Sequence, residues 1–90
     1  MNVEYDRYFL SYSGVKLPLT LVNELQPEEV ANRNTYFGIK VDEQGRTVLI
    51  HKLVYAEIEL EHKYEYGADN KLMSAEIRNA DNETQFINYR

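Results

Sequence analysis

Ninety residues, 43% of them hydrophobic and 28% charged, suffice for one domain with a modest core and not for two. A net charge of −5 argues against nucleic-acid binding, which rests on Lys and Arg neutralising phosphates, and no apolar run approaches the ~20 residues of a membrane span. The absence of cysteine excludes disulfides, thiolate metal sites and thiol nucleophiles; with an acidic N-terminus unlike a secretory signal, it sets a cytoplasmic expectation.

The first element pair is "RYFLSY" and "VKLPLTLV", interrupted by Ser13-Gly14. A two-residue loop there pairs Tyr12 with Val15, Leu10 with Leu17 and Tyr8 with Leu19. Pro18 lacks an N–H, so the second strand is expected to be a sheet edge or to point that position outward. "QPEEVANR" at 26–33 is the one helical stretch: Pro27 suits a first helical position, and Glu28 and Glu29 suit the positive end of the helix dipole. Gln44-Gly45 then turns "YFGIKVD" into "RTVLIHK", placing Val41 opposite Val48 and Ile39 opposite Ile50.

From Thr47 to Tyr66 the chain has no Gly, Pro, Asn or Asp. Fully extended, that segment would span roughly 66 Å at ~3.3 Å per residue, against a domain diameter of roughly 30 Å. A bulge or reversal is therefore expected near His51–Tyr55. Leu49, Leu53 and Tyr55 add apolar residues to the odd-numbered phase, so the middle of the segment should be covered on both sides. In "YAEIELEHKYEY" at 55–66, Glu57, Glu59, Glu61, Lys63 and Glu65 take every second position. That period of two is a strand signal and overrides the local helix propensity of Glu, Ala, Leu and Lys. A four-residue loop at 67–70 pairs Tyr64 with Met73, His62 with Ala75 and Leu60 with Ile77; "ADNE" at 80–83 sets Ile77 opposite Phe86. In this register Glu59 faces Arg78, while Glu61 faces Glu76 and is repelled by it.

Glu57, Glu59, Glu61 and Glu65 form a candidate interaction surface; the bland reading is the solvated face of an antiparallel sheet. His51 and His62 are the only imidazoles and fall on opposite phases of the strand. Either could act as a ligand or acid–base residue with a nearby carboxylate, although neither has a partner visible in the sequence. "SYSGV" lacks the Gly-x-Ser-x-Gly elbow, the four glycines form no phosphate loop, and no cofactor is implied. Eight tyrosines suit half-buried strands, with Tyr8, Tyr12, Tyr64 and Tyr66 on core faces, and also suit interfaces.

The segment "YEYGADNKLMSAEIRNADNETQFINY" resembles the tyrosine–aspartate (YD) repeats of Rhs-type proteins. Tyr64, Tyr66, Lys71-Leu72 and Tyr89 carry the resemblance; Gly67 and Asn70 stand where that pattern has Asp and Gly, and "VDEQGR" at 41–46 is a fainter copy in which Gly45 corresponds to Asn70. Separately, "YFLSYSGVKLPLTLV" with "ANRNTYF" resembles a family of short bacterial proteins of unknown function, which implies no activity or site.

The sequence therefore reads as a single domain over 1–90, mainly β. The expected architecture is an antiparallel meander of about six or seven strands, as a strongly bent sheet, small sandwich or partial barrel, with one short helix near 27–33. The functional expectation is a non-catalytic domain that binds a protein partner or forms a homo-oligomer, without nucleic acid, membrane or cofactor. The alternative is a small-ligand, metal-binding or hydrolase-like domain with a pocket at the bend of 47–66, using His51 or His62.

Overall fold

The computed structural model describes residues 5–14 and 17–89. Among these residues seven strands run β1 (Arg7–Ser13), β2 (Thr20–Leu25), β3 (Thr35–Val41), β4 (Thr47–Val54), β5 (Glu57–Tyr66), β6 (Leu72–Asn79) and β7 (Thr84–Asn88). They form one sheet in the order β2-β1-β3-β4-β5-β6-β7, every neighbouring pair antiparallel. The mainly β expectation holds, and the sheet is open rather than closed into a barrel. Only β2 to β3 is not a connection between neighbours, and it carries helix α1 (Pro27–Val30). Pro27 begins α1 as expected, and Gln26 and Glu29 close a capping box around its start.

One face of the sheet holds the core: Phe9, Phe37, Ile39, Ile50, Tyr64 and Ala75. The pairs Phe9↔Phe37, Ile39↔Ile50 and Tyr64↔Ala75 put these residues side by side on adjacent strands. Leu17, Leu19 and Leu21 pack onto the same cluster. The Leu19 N–H donates to Tyr64 Oη at 3.4 Å, so the segment entering edge strand β2 lies against a side chain of β5. The sheet curls around its core.

Three hairpins share one loop. Asp42 N–H donates to Arg46 C=O, Gly67 to Lys71 and Asn79 to Glu83, each enclosing three residues whose last is left-handed. Those residues are Gly45 (φ 80°), Asn70 (φ 64°) and Asn82 (φ 64°). Gly and Asn reach that conformation at little cost. The Gly45–Asn70 correspondence behind the YD-repeat resemblance falls on equivalent positions of two such loops.

This loop geometry corrects several expected pairings. The β3–β4 pair keeps Ile39↔Ile50, but a bulge sets Val41 opposite Thr47 instead of Val48. The β5–β6 pair is offset by two residues, giving Tyr64↔Ala75, His62↔Ile77 and Leu60↔Asn79, so the faces are kept and the partners change. At the last hairpin the loop encloses residues 80–82 rather than 80–83. Phe86 consequently lies opposite Glu76, and Ile87 opposite Ala75 on the core face; a one-residue slip exchanges the faces of a strand. The first hairpin differs most. Tyr12 pairs with Leu21 and Tyr8 with Leu25, and Pro18 sits in a longer connection because it cannot donate to a ladder. The expected partner Val15, with Lys16, lies outside the described residues. Strand β2 is an edge, as Pro18 implied.

Residues 47–66 divide into β4 and β5 at Tyr55-Ala56, close to the expected reversal, and a bulge at Glu59 follows. Both turn residues have positive φ, 51° and 67°. A two-residue loop of this kind favours Asn-Gly. Here the Tyr55 N–H donates to Asn34 C=O at 2.7 Å and Asn34 Nδ2 reaches the Tyr55 hydroxyl at 3.4 Å. Tertiary contacts thus hold a turn that local chemistry does not favour. Replacing Tyr55-Ala56 with Asn-Gly should raise unfolding stability by about 1–2 kcal/mol, read from urea midpoints at unchanged slope.

Candidate functional site

The second face of the sheet carries an unbroken row of directly paired positions: Tyr8, Gly38, His51, Glu61 and Arg78, on β1, β3, β4, β5 and β6. Gly38 leaves a gap in that row, and Tyr5 fills it. A Cβ on Gly38 would stand 2.5 Å from Tyr5 Cγ. The Tyr5 ring meets His51 edge-on with centroids 5.6 Å apart, meets Tyr8 at 5.9 Å, and Tyr8 in turn meets Tyr36 at 5.9 Å.

Tyr5 Oη lies 2.7 Å from His51 Nδ1, and His51 Nε2 lies 2.7 Å from Glu61 Oε2. An ionised carboxylate only accepts, so a His51 proton belongs on Nε2, and in the neutral imidazole Nδ1 accepts from the Tyr5 hydroxyl. Glu61 Oε1 has Arg78 Nη2 at 2.9 Å and Lys63 Nζ at 3.8 Å. Neither cation is aligned to donate a hydrogen bond to it, so the compensation there is charge pairing. His51 and Glu61 are 4% and 7% exposed, which makes that compensation necessary. Burial pushes the Glu61 carboxyl up, but the His51 hydrogen bond and the charges of Lys63 and Arg78 outweigh it and hold the group below its ordinary 4.5.

A hydroxyl, an imidazole and a carboxylate in series resemble an acid–base triad. Burial first, then Tyr36, Tyr8 and Glu61, push Tyr5 up to about 12, so the hydroxyl keeps its proton, and the ring that carries it is seated in the gap at Gly38. The arrangement acts as a clamp that ties the Tyr5 segment to β4 and β5.

His62 lies on the core face opposite Ile50 and Ile77, so the two histidines occupy opposite faces, as their phase implied. The Leu19 N–H donates to Tyr64 Oη, which shares a second hydrogen bond with His62 Nδ1 at 2.6 Å. Burial holds His62 below its ordinary 6.5 and pushes Tyr64 up to about 12. These values fit a neutral hydrogen-bonded pair within the core.

The four glutamates do not form one surface. Glu65 is exposed opposite Ser74, and Glu61 is buried on that same face. Glu59 is the extra residue of the bulge and meets Lys52 Nζ at 3.1 Å. Glu57 pairs with Val54, which places it on the face of Ile50. The repulsion expected between Glu61 and Glu76 is absent, because the two-residue offset sets Glu61 opposite Arg78 and Lys63 opposite Glu76. Of the tyrosines expected on core faces, Tyr64 is buried, Tyr66 packs against the core, Tyr12 is partly exposed but meets the core ring of Phe37 edge-on at 5.7 Å, and Tyr8 is half-buried on the second face.

The other candidate is an edge. Asn79 N–H donates to Glu83 C=O and Tyr89 N–H to Met73 C=O, so the odd-numbered residues from 83 to 89 turn their backbone towards β6. Thr84, Phe86 and Asn88 therefore point their N–H and C=O groups outward from the sheet. Strand β7, "TQFIN", has no charge and no proline, and Phe86 is 70% exposed. The β2 edge is guarded differently: Asn23 has φ 60°, and Glu24 is held by Arg7 at 2.7 and 3.0 Å.

Residues 2–90 match a family of unknown function, DUF6156. The chain belongs to this family. No curated protein and no solved structure matches it. Family membership thus assigns no chemistry to the clamp or the edge, and both rest on their geometry.

The sequence concealed the clamp because Tyr5 and Arg78 reach His51 and Glu61 only through sheet register. Its one legible sign was Gly38, a glycine inside a strand pattern, which marks a close approach. Gly38→Ala should cost about 1–3 kcal/mol by overpacking. Pairing it with Tyr5→Ala should recover most of that loss in a double-mutant cycle of urea melts. The depressed Glu61 value also has a signed consequence: its stabilisation is present above the unfolded-state value near 4.5 and is lost as pH falls through the lower folded-state value. Wild type should therefore converge on Glu61→Gln as pH falls from about 7 to about 3, measured as the difference in urea midpoints.

Proposed function

We propose that the protein is a non-catalytic recognition domain that accepts an extended strand on its β7 edge. The observation carrying this reading is the set of outward N–H and C=O groups at Thr84, Phe86 and Asn88 on an uncharged strand with an exposed aromatic. Strand addition of this kind draws affinity from backbone hydrogen bonds and specificity from alternate side chains. The cytoplasmic expectation accords with a chain free of cysteine. The ligand-binding or hydrolase-like alternative gains the His51–Glu61 contact, but Tyr5 occupies the imidazole nitrogen that such a reaction would use.

The test is amide exchange and chemical shift in the 15N-labelled protein. On adding soluble extract of the source cells, or on raising the protein's own concentration, the Thr84, Phe86 and Asn88 amides should shift and become protected. Gln85 and Ile87, already bonded to β6, should change little. Phe86→Lys, folded by circular dichroism, should lose the response. An edge indifferent to both additions would sink the reading.

A further inference from the structure

Resting on the strand-docking reading, we infer that the occupant of the β7 edge is a second copy of this chain, paired antiparallel about a two-fold axis at Phe86. Three residues point outward, Thr84, Phe86 and Asn88, and Phe86 is the middle one. An antiparallel pairing centred on it sets Phe86 against the partner's Phe86 and Thr84 against the partner's Asn88, and satisfies every outward group of the strand. Each such pair exchanges two hydrogen bonds.

The side chains agree with this register. Thr84, Phe86 and Asn88 pair with Arg78, Glu76 and Ser74, and so share the second face of the sheet. Paired residues of an extended sheet keep a common face, so the two Phe86 rings become neighbours and each covers the other's exposed surface. Thr84 and Asn88 set one polar side chain against another. Charge does not oppose the seam despite the net −5 of each copy, because residues 84–88 carry none. Glu83, the acid next to the strand in sequence, takes a hydrogen bond from Asn79 Nδ2 at 2.9 Å and falls opposite the partner's Tyr89, and Glu76, opposite Phe86 on β6, has Lys63 opposite it on β5.

The guarded β2 edge makes the assembly a closed pair. Joining β7 of one copy to β2 of the next would propagate a filament, but the left-handed Asn23 interrupts the β2 edge and Glu24 is committed to Arg7. A seam one short strand long buries less than the ~1,000 Å² of stable interfaces. The dimer is therefore weak and dependent on concentration.

Because the chain has no cysteine, introduced thiols report the register directly. Paired Cα atoms at such positions stand ~5.5 Å apart, within disulfide reach. Thr84→Cys/Asn88→Cys, which keeps Phe86, should oxidise to a covalent dimer. Thr84→Cys or Asn88→Cys alone should not, since each lies opposite the other residue and not opposite itself. In parallel, light scattering of the cysteine-free protein should show a dimer fraction rising with concentration, and Phe86→Lys should raise the dissociation constant at least about tenfold, roughly one hot-spot contact. A protein monomeric to about 1 mM that forms no cross-link overturns the second copy. If source-cell extract still shifts the Thr84, Phe86 and Asn88 amides, strand docking stands with a different occupant; if it does not, both fall. Single variants cross-linking as readily as the double variant would overturn the register.

Discussion

Every face-dependent property of this domain follows from the phase of its strands, which is set at the turns. A strand alternates its side chains, so a change of one residue in a loop or bulge moves a whole strand's apolar set between core and solvent. Three loops ending in the left-handed residues Gly45, Asn70 and Asn82 fix that phase from β3 to β4 and from β5 to β7, and the Tyr55-Ala56 turn fixes it from β4 to β5. Bulges at Lys40/Val41, Lys52/Leu53 and Glu65/Tyr66 adjust it within the ladders. The resulting alignment puts Ile39, Ile50, His62 and Ile77 in one row and Gly38, His51, Glu61 and Arg78 in the adjacent one. The first row belongs to the hydrophobic core. The second holds the buried charge.

That second row explains how a single sheet can have both faces covered near its middle. His51 and Leu53 are buried on it, with no second sheet packed above them among the described residues. The Tyr5 segment supplies the cover, seated in the gap at Gly38 and hydrogen-bonded to His51. Asp6 extends the attachment: its N–H donates to Ile39 C=O and its Oδ2 accepts the Val41 N–H, binding the start of the described chain along β3. Glu61 would be costly at this depth without His51, Arg78 and Lys63 around it. A polar cluster of this kind specifies one arrangement, because only one register supplies all its partners.

The two edges are unequal. A row of free N–H and C=O groups is a template for another strand, and β2 answers it with a left-handed residue and an ion pair. Strand β7 has neither, and presents Phe86 instead. The asymmetry leaves β7 open to another strand and β2 guarded against one. It also sets the clamp, at the centre of the sheet, apart from the open edge at its margin.

The sequence by itself determined the class of fold. Alternation in "YAEIELEHKYEY", turn residues at Gly45 and Asn70, and Pro27 at the head of a short helix each describe local backbone preferences that need no distant partner. The eleven-residue offset of His51 and His62 implied opposite faces, and they lie so because two changes of phase between them, the Tyr55-Ala56 reversal and the bulge at Glu59, cancel. What the tertiary structure decided was register. Enclosing three residues rather than four at Asn79–Glu83 moved Phe86 out of the core, the two-residue offset of β6 replaced a Glu61–Glu76 repulsion with a Glu61–Arg78 pair, and the bulge at Glu59 broke the row of glutamates. The reversal at Tyr55-Ala56 carries no turn residue, since Asn34 supplies its backbone partner from β3's approach. Such outcomes depend on hydrogen bonds between residues distant in sequence, and a period of two is silent about which partner stands opposite.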